Sequence, residues 1–160
     1  MDTEKEDERH MRAAIAASRE AMQRGDMPFG AVLARDGRVL MAASNNQDTS
    51  HDCTGHAEIV LVRLAQREMG ADVLKGATVY ASGEPCAMCA GAMFWAGVTR
   101  VVYGASSPEM DAVLGGATLG ARCEAVLANA HPAMTVEGPL LEAEAVEVIR
   151  AAMQARRVAG

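Results

Sequence analysis

Aromatic side chains are scarce in this chain: two Phe, two Tyr and one Trp among 160 residues. Half of the residues are nevertheless hydrophobic, so a core must be built mostly from Ala, Val, Leu and Met. Long apolar runs are also missing. None reaches the roughly 18 residues that a membrane span needs, which excludes a helical membrane protein. The opening "MDTEKEDERH" is charged and largely acidic, unlike a secretory leader, and a cytoplasmic protein is expected. Basic charge is in deficit, with 15 Lys and Arg against 21 Asp and Glu and a net charge of -6. Affinity for nucleic acid comes largely from cations that neutralise phosphates, so this balance weighs against a polyanionic partner such as tRNA. Cysteine is limited to Cys53, Cys86, Cys89 and Cys123. Without a leader, metal binding or catalysis reads better than two disulfides.

What is present is a regular alternation of strand and helix signals. Apolar residues at three- and four-residue spacing predict a helix over 7–24, stopped by Gly25. "FGAVLAR" and "RVLMAAS" flank Asp36-Gly37, a strong hairpin turn. The polar stretch 45–54 reads as loop, 56–69 as helix and 77–82 as strand. Pro85 suits the first turn of a helix running to about Ala96. A strand over 99–105 precedes a Gly-rich region, 106–120, read as loop. A helix is expected over 121–130, a strand over 133–138 and a last helix from Pro139. This order predicts one domain over 1–160, an α/β protein in which a mixed five-stranded sheet lies between two helical layers.

Two short motifs stand at predicted helix starts. Cys86 and Cys89 follow Pro85, and His56 and Glu58 follow a turn-rich loop. A thioredoxin-like dithiol would also sit at a helix start. The positive end of a helix favours thiolate, so two such ends suit a shared zinc ion. His56, Cys86 and Cys89 make three protein ligands and leave a fourth position for water, the coordination of a catalytic zinc. A structural site would need one more ligand, for which Cys53, His51 and His131 are candidates. Zinc lowers the pKa of bound water from about 15.7 to roughly 7. A carboxylate at Glu58 can take that water's proton and deliver it to a leaving amine. The remaining cysteines, Cys53 and Cys123, read as small buried hydrophobes. Glu84 reads as a partner of nearby backbone groups.

His56-Ala57-Glu58 with Pro85-Cys86-Ala87-Met88-Cys89 reproduces the H-x-E…P-C-x-x-C signature of zinc nucleobase deaminases, in which the Glu is not a ligand. The chain resembles the cytidine deaminase superfamily from about Phe29 to Gly104. Two branches share its features. "HAE", "EPCAMCAGAM" and "HPAMTVEGPL" are similar to bacterial tRNA adenosine deaminases. "MPFGAV", the "NN" and the Trp after the cysteine pair are closer to guanine deaminases. That second resemblance implies a base pocket lined by Phe29, Asn45 and Trp95. The backbone amides of Ala57 and Cys86, at the two helix starts, are expected to contact the water or the substrate. A planar base needs an apolar wall and an amide to fix its edge. A guanine-like base is therefore the expected substrate, ahead of tRNA adenosine or a cytosine-like base. The resemblance further implies a homo-oligomer, of which a dimer is the simplest. It also implies a second acidic group, for which Asp111, Glu124, Glu142 and Glu144 are candidates.

Overall fold

A computed structural model describes residues 2–160. The chain runs α1 (Thr3–Arg24), β1 (Gly30–Arg35), β2 (Arg38–Ser44), α2 (Gln47–Ser50), α3 (Ala57–Met69), β3 (Thr78–Gly83), α4 (Ala87–Ala96), β4 (Arg100–Ala105), α5 (Ser107–Leu114), α6 (Cys123–Leu127), β5 (Thr135–Glu137) and α7 (Glu142–Ala159). The five strands form one sheet in the order β2-β1-β3-β4-β5. β1 is antiparallel to both β2 and β3, whereas β3, β4 and β5 are parallel. Asp36 and Gly37 both have positive φ, as a two-residue hairpin turn of this sequence requires.

Successive residues of a strand face opposite sides of a sheet, and this sorts the core into two halves. Val32, Tyr80 and Val102 pack with Met11 and Ile15 of α1 and with Val148 and Ile149 of α7. Their neighbours Leu33, Val79 and Val101 pack with Leu61 of α3 and Met93 of α4. The result is an α/β/α sandwich with small residues where layers must approach. Gly30 is the closest such point. A Cβ there would stand 2.3 Å from the Ala14 carbonyl of α1.

Several expected boundaries move. The first helix starts at Thr3 rather than residue 7. The 45–54 loop contains the single helical turn α2. The region read as loop from 106 carries α5: Ser106 stands at its N-cap and Pro108 in its first turn, both ordinary helix-start signals. The helix expected over 121–130 is only α6, and the last helix begins at Glu142, not at Pro139. No helix among the described residues is long and apolar enough to cross a membrane.

The topology also decides where a site can form. β3 and β4 are parallel, and β1 enters where β2 and β3 leave. The register pairs Gly30 with Ser44 and Ala31 with Ala81. One end of the sheet therefore gathers Phe29, Asn45, Glu84 and Ser106. Ligands in open α/β sheets bind beyond such carboxyl ends.

Candidate active site

His56 is the N-cap of α3 and Cys86 the N-cap of α4. Both have extended backbone, so their side chains turn off the helix axis. Cys89 lies within the first turn of α4 and is fully buried. The His56 Nδ1 atom is 3.6 Å from Cys86 Sγ and 3.5 Å from Cys89 Sγ, and the two sulfurs are 3.7 Å apart.

These spacings can be set against a tetrahedron. Zn–S of about 2.3 Å and Zn–N of about 2.0–2.1 Å give edges near 3.8 Å for S···S and 3.6 Å for N···S. The three atoms therefore already stand at the corners of a zinc site, and the sulfurs are far too distant for a disulfide. Among the described residues, only these three form such a cluster. His51, Cys53 and His131 are not in it, so the fourth corner is left open to the pocket. His56, Cys86 and Cys89 form the zinc site.

The electrostatics of the cluster match that task. Contact with Cys89 and with His56 holds the Cys86 thiol down at about 4. Cys89, facing Cys86 and desolvated, is pushed up. A cation between the sulfurs ionises a coordinating thiol outright. His56 is raised by its bond to Cys86. Glu58, in the first turn of α3, is only 6% exposed. Burial pushes its carboxyl up to about 7.

A cavity of about 270 Å³ opens beside the cluster, lined by His56, Glu58 and Cys86 together with Phe29, Asn45 and Ala57. Sequence reasoning missed several further walls: Met27, Gln47, Ser107, Met110 and the segment Ala117–Ala121. Two of these stand beside residues already singled out: Gln47 lies two residues after Asn45, and Met27 two residues before Phe29 in "MPFGAV". Among the four candidate second acids, Asp111 lines the cavity. Glu142 instead accepts the Ser106 amide, Glu144 pairs with Arg12, and Glu124 is exposed.

Glu84 does more than hold nearby backbone. Its buried carboxylate accepts from the amides of Ser107 and Cys123 and from Arg122. Burial alone would raise its pKa, but these donors outweigh it and hold it low. Glu84 thus ties the residue before Pro85-Cys86 to the starts of α5 and α6.

Trp95 is a correction. It is 84% exposed, does not line the cavity, and meets Phe94 edge to face. Helix geometry explains this. Trp95 lies six residues beyond Cys89, which is about 9 Å along the axis and about 120° around it. It is therefore neither a wall of this pocket nor a core residue. Cys53 is also exposed, not buried. Cys123 is buried against Ala90 and Leu127, as expected.

Gly55, just before His56, is closely packed. A Cβ there would come within 2.3 Å of Asn46 Oδ1. The Asp52 carbonyl and the Gln47 amide would each stand 3.1 Å from it, so a side chain there requires the Asn46 amide and this loop to shift.

Comparison with known proteins agrees with this geometry. Residues 4–105 match the cytidine and deoxycytidylate deaminase zinc-binding region. A tRNA-specific adenosine deaminase of Agrobacterium fabrum is 36% identical over 148 residues, covering 92% of this chain and 94% of that protein. A structure from work on A-to-I editing by tRNA:A34 deaminases superposes with a TM-score of 0.73 at 35% identity, covering 88% of this chain and 98% of the other. The guanine deaminase of Nitrosomonas europaea superposes with a TM-score of 0.81 at 28% identity, covering 92% and 84%. A guanine deaminase of Bacillus subtilis is 43% identical, but over only 82 residues and 51% of this chain, so by coverage the tRNA adenosine deaminase stands ahead, the reverse of the order expected from the sequence. With His56, Cys86 and Cys89 placed as zinc ligands at two helix starts, the chain belongs to the cytidine and deoxycytidylate deaminase zinc-binding family and is a zinc-dependent deaminase.

Proposed function

We propose that this chain hydrolyses the exocyclic C–N bond of an aminopurine, with adenosine in tRNA as its first candidate substrate. The observation that carries the chemistry is Glu58, a buried carboxyl beside the three-ligand cluster in a small cavity. Zinc held by His56, Cys86 and Cys89 would lower the pKa of a water at the open corner. Glu58 then takes that water's proton and hands it to the departing amino group, which leaves as ammonia. Phe29 supplies an apolar wall for the ring, and Asn45 fixes its edge through donor and acceptor. Ala57, at the first helical position of α3, offers a backbone N–H to the substrate.

The cavity is smaller than the roughly 300–1,000 Å³ of drug-sized sites. It suits a single base, delivered free or flipped out of a strand. Coverage of the matched relatives favours the tRNA substrate. One observation favours a free guanine-like base instead: the cavity walls include Glu58, Glu84 and Asp111 but no Lys or Arg. A phosphate backbone at the mouth would meet little positive charge there.

The zinc-loaded protein should be incubated with tRNA transcripts, guanine, adenine, 2,6-diaminopurine and cytosine, following ammonia and inosine. Inosine in tRNA with unreacted free bases supports the first reading. Release of ammonia from guanine alone supports the second. Inertness toward all of them overturns both.

The family resemblance also supports a homo-oligomer, and we assign its contact to the outer face of α4. Met88 and Trp95 are exposed there, and α4 carries no charged residue. Trp95→Ala should leave zinc content unchanged while shifting sedimentation toward the monomer. An unaltered oligomeric state would remove α4 from the interface.

A further inference from the structure

The Asn45–Gln47 pair fixes its own amide orientation, and this assigns Gln47 a task. A backbone N–H can only donate. The Gln47 N–H points at Asn45 Oδ1 at 2.9 Å, so that end of the Asn45 amide is its oxygen. The other end, Nδ2, is then a donor and meets the Gln47 side chain at 2.7 Å. Gln47 must present Oε1 there, because the flipped amide would set donor against donor. Its Nε2, with two N–H groups, makes no hydrogen bond to any described residue.

Gln47 and Asn45 both line the cavity beside Glu58. The turn that carries them is held on three sides. Arg24 donates to the Asn45 carbonyl at 2.8 Å. Buried Asp26 accepts from the Thr49 amide at 2.9 Å. Arg156 of α7 binds Asp48 at 2.9 Å. A donor on a turn so restrained is placed in advance of binding. After their mutual bonds, Asn45 keeps one N–H and one lone pair, while Gln47 keeps both of its N–H groups. The pair presents the substrate with more donors than acceptors.

We propose that Gln47 is a specificity-determining residue of this site, donating through Nε2 to a ring nitrogen or carbonyl on the edge of the bound base. The inference rests on the reading that Asn45 faces the substrate. It predicts a preference for bases with an acceptor on that edge, since a site built around a hydrogen bond rejects the analogue lacking it.

Gln47→Glu separates the two roles of the side chain. It retains an oxygen for Asn45 Nδ2 and loses the donors. The probes are adenine, guanine and their singly deaza-substituted analogues, each lacking one ring acceptor. Equilibrium binding to the zinc-loaded protein is measured alongside turnover, with Gln47→Met and Asn45→Ala in parallel. The wild type should bind one deaza analogue of its preferred base about tenfold more weakly than the parent. Gln47→Glu should reduce that discrimination to below about threefold, with zinc content and Tm unchanged. Gln47→Met should lose the discrimination and also bind the parent base more weakly, because Asn45 is released. Full discrimination in Gln47→Glu overturns the proposal, and an accompanying defect in Asn45→Ala shows that the reading of Asn45 survives it. If Asn45→Ala and both Gln47 variants bind every base as the wild type does, the pair faces no substrate and both fail together.

Discussion

Glu58→Gln should keep its zinc and its fold and lose almost all turnover. The substitution preserves the volume of a buried side chain at the cavity wall and removes only its ability to carry a proton. General acid–base groups contribute typically 10²–10⁴-fold to rate, and here one group serves both the incoming water and the outgoing amine. The expected loss in kcat is therefore at the upper end of that range or beyond it. Stability should not fall. Burial disfavours the ionised carboxylate, as the raised Glu58 pKa of about 7 shows, and glutamine has no charge to desolvate. Ammonia release, zinc content and Tm on one preparation make the check. Near-normal turnover in a variant with full zinc would remove Glu58 from the mechanism and return the chemistry to some other group.

The chemistry was legible in the sequence for a local reason. Cys86 and Cys89 share one turn, and His56 and Glu58 share another, so each half of the centre is specified by a few adjacent residues. The start of a helix does the rest, because its unpaired N–H groups favour the same anionic side chains that bind zinc. Only the meeting of the two halves required the fold. That meeting follows because β2 and β3 are both antiparallel to β1, so α3, which follows β2, and α4, which follows β3, start at the same end of the sheet.

The pocket walls were less legible, because they come from surfaces that periodicity does not label. Met110 reaches the cavity from α5, a helix hidden by the glycines that follow it. Its own start signals at Ser106 and Pro108 were outweighed by Gly115, Gly116 and Gly120. Trp95 shows the opposite error. A resemblance at one position suggested a base wall, but counting turns from Cys89 already places that side chain well away from the ligands. The role of Gln47 was not legible, although Asn45 lies two residues away, because it depends on a hydrogen bond with Asn45 whose direction is set by a backbone N–H. Substrate preference suffered accordingly, since it depends on the walls and not on the metal.

Cys86→Ala should lose most of the roughly one zinc per chain expected of the wild type. Three protein atoms surround the site, and no described residue replaces a missing one: His51, Cys53 and His131 are all outside the cluster. Removing one thiolate leaves one sulfur and one imidazole. It also removes the thiolate most readily formed, since the Cys86 thiol is held down at about 4. Activity should disappear with the metal. The fold should be weakened but kept, because Cys86 is only half-buried and the two halves of the core are built from other residues. Cys86→Ser distinguishes loss of the ligand from loss of the side chain's bulk. An alcohol is a far poorer zinc ligand than a thiolate, so zinc should fall nearly as far while Tm measured in chelator stays closer to that of the metal-free wild type. The decisive measurement is zinc per chain after gel filtration in a weak chelator. Full retention in Cys86→Ala would mean that another side chain has entered the site. The centre would then have four protein ligands available, as a structural zinc does, and the open corner on which the deamination mechanism depends would be lost.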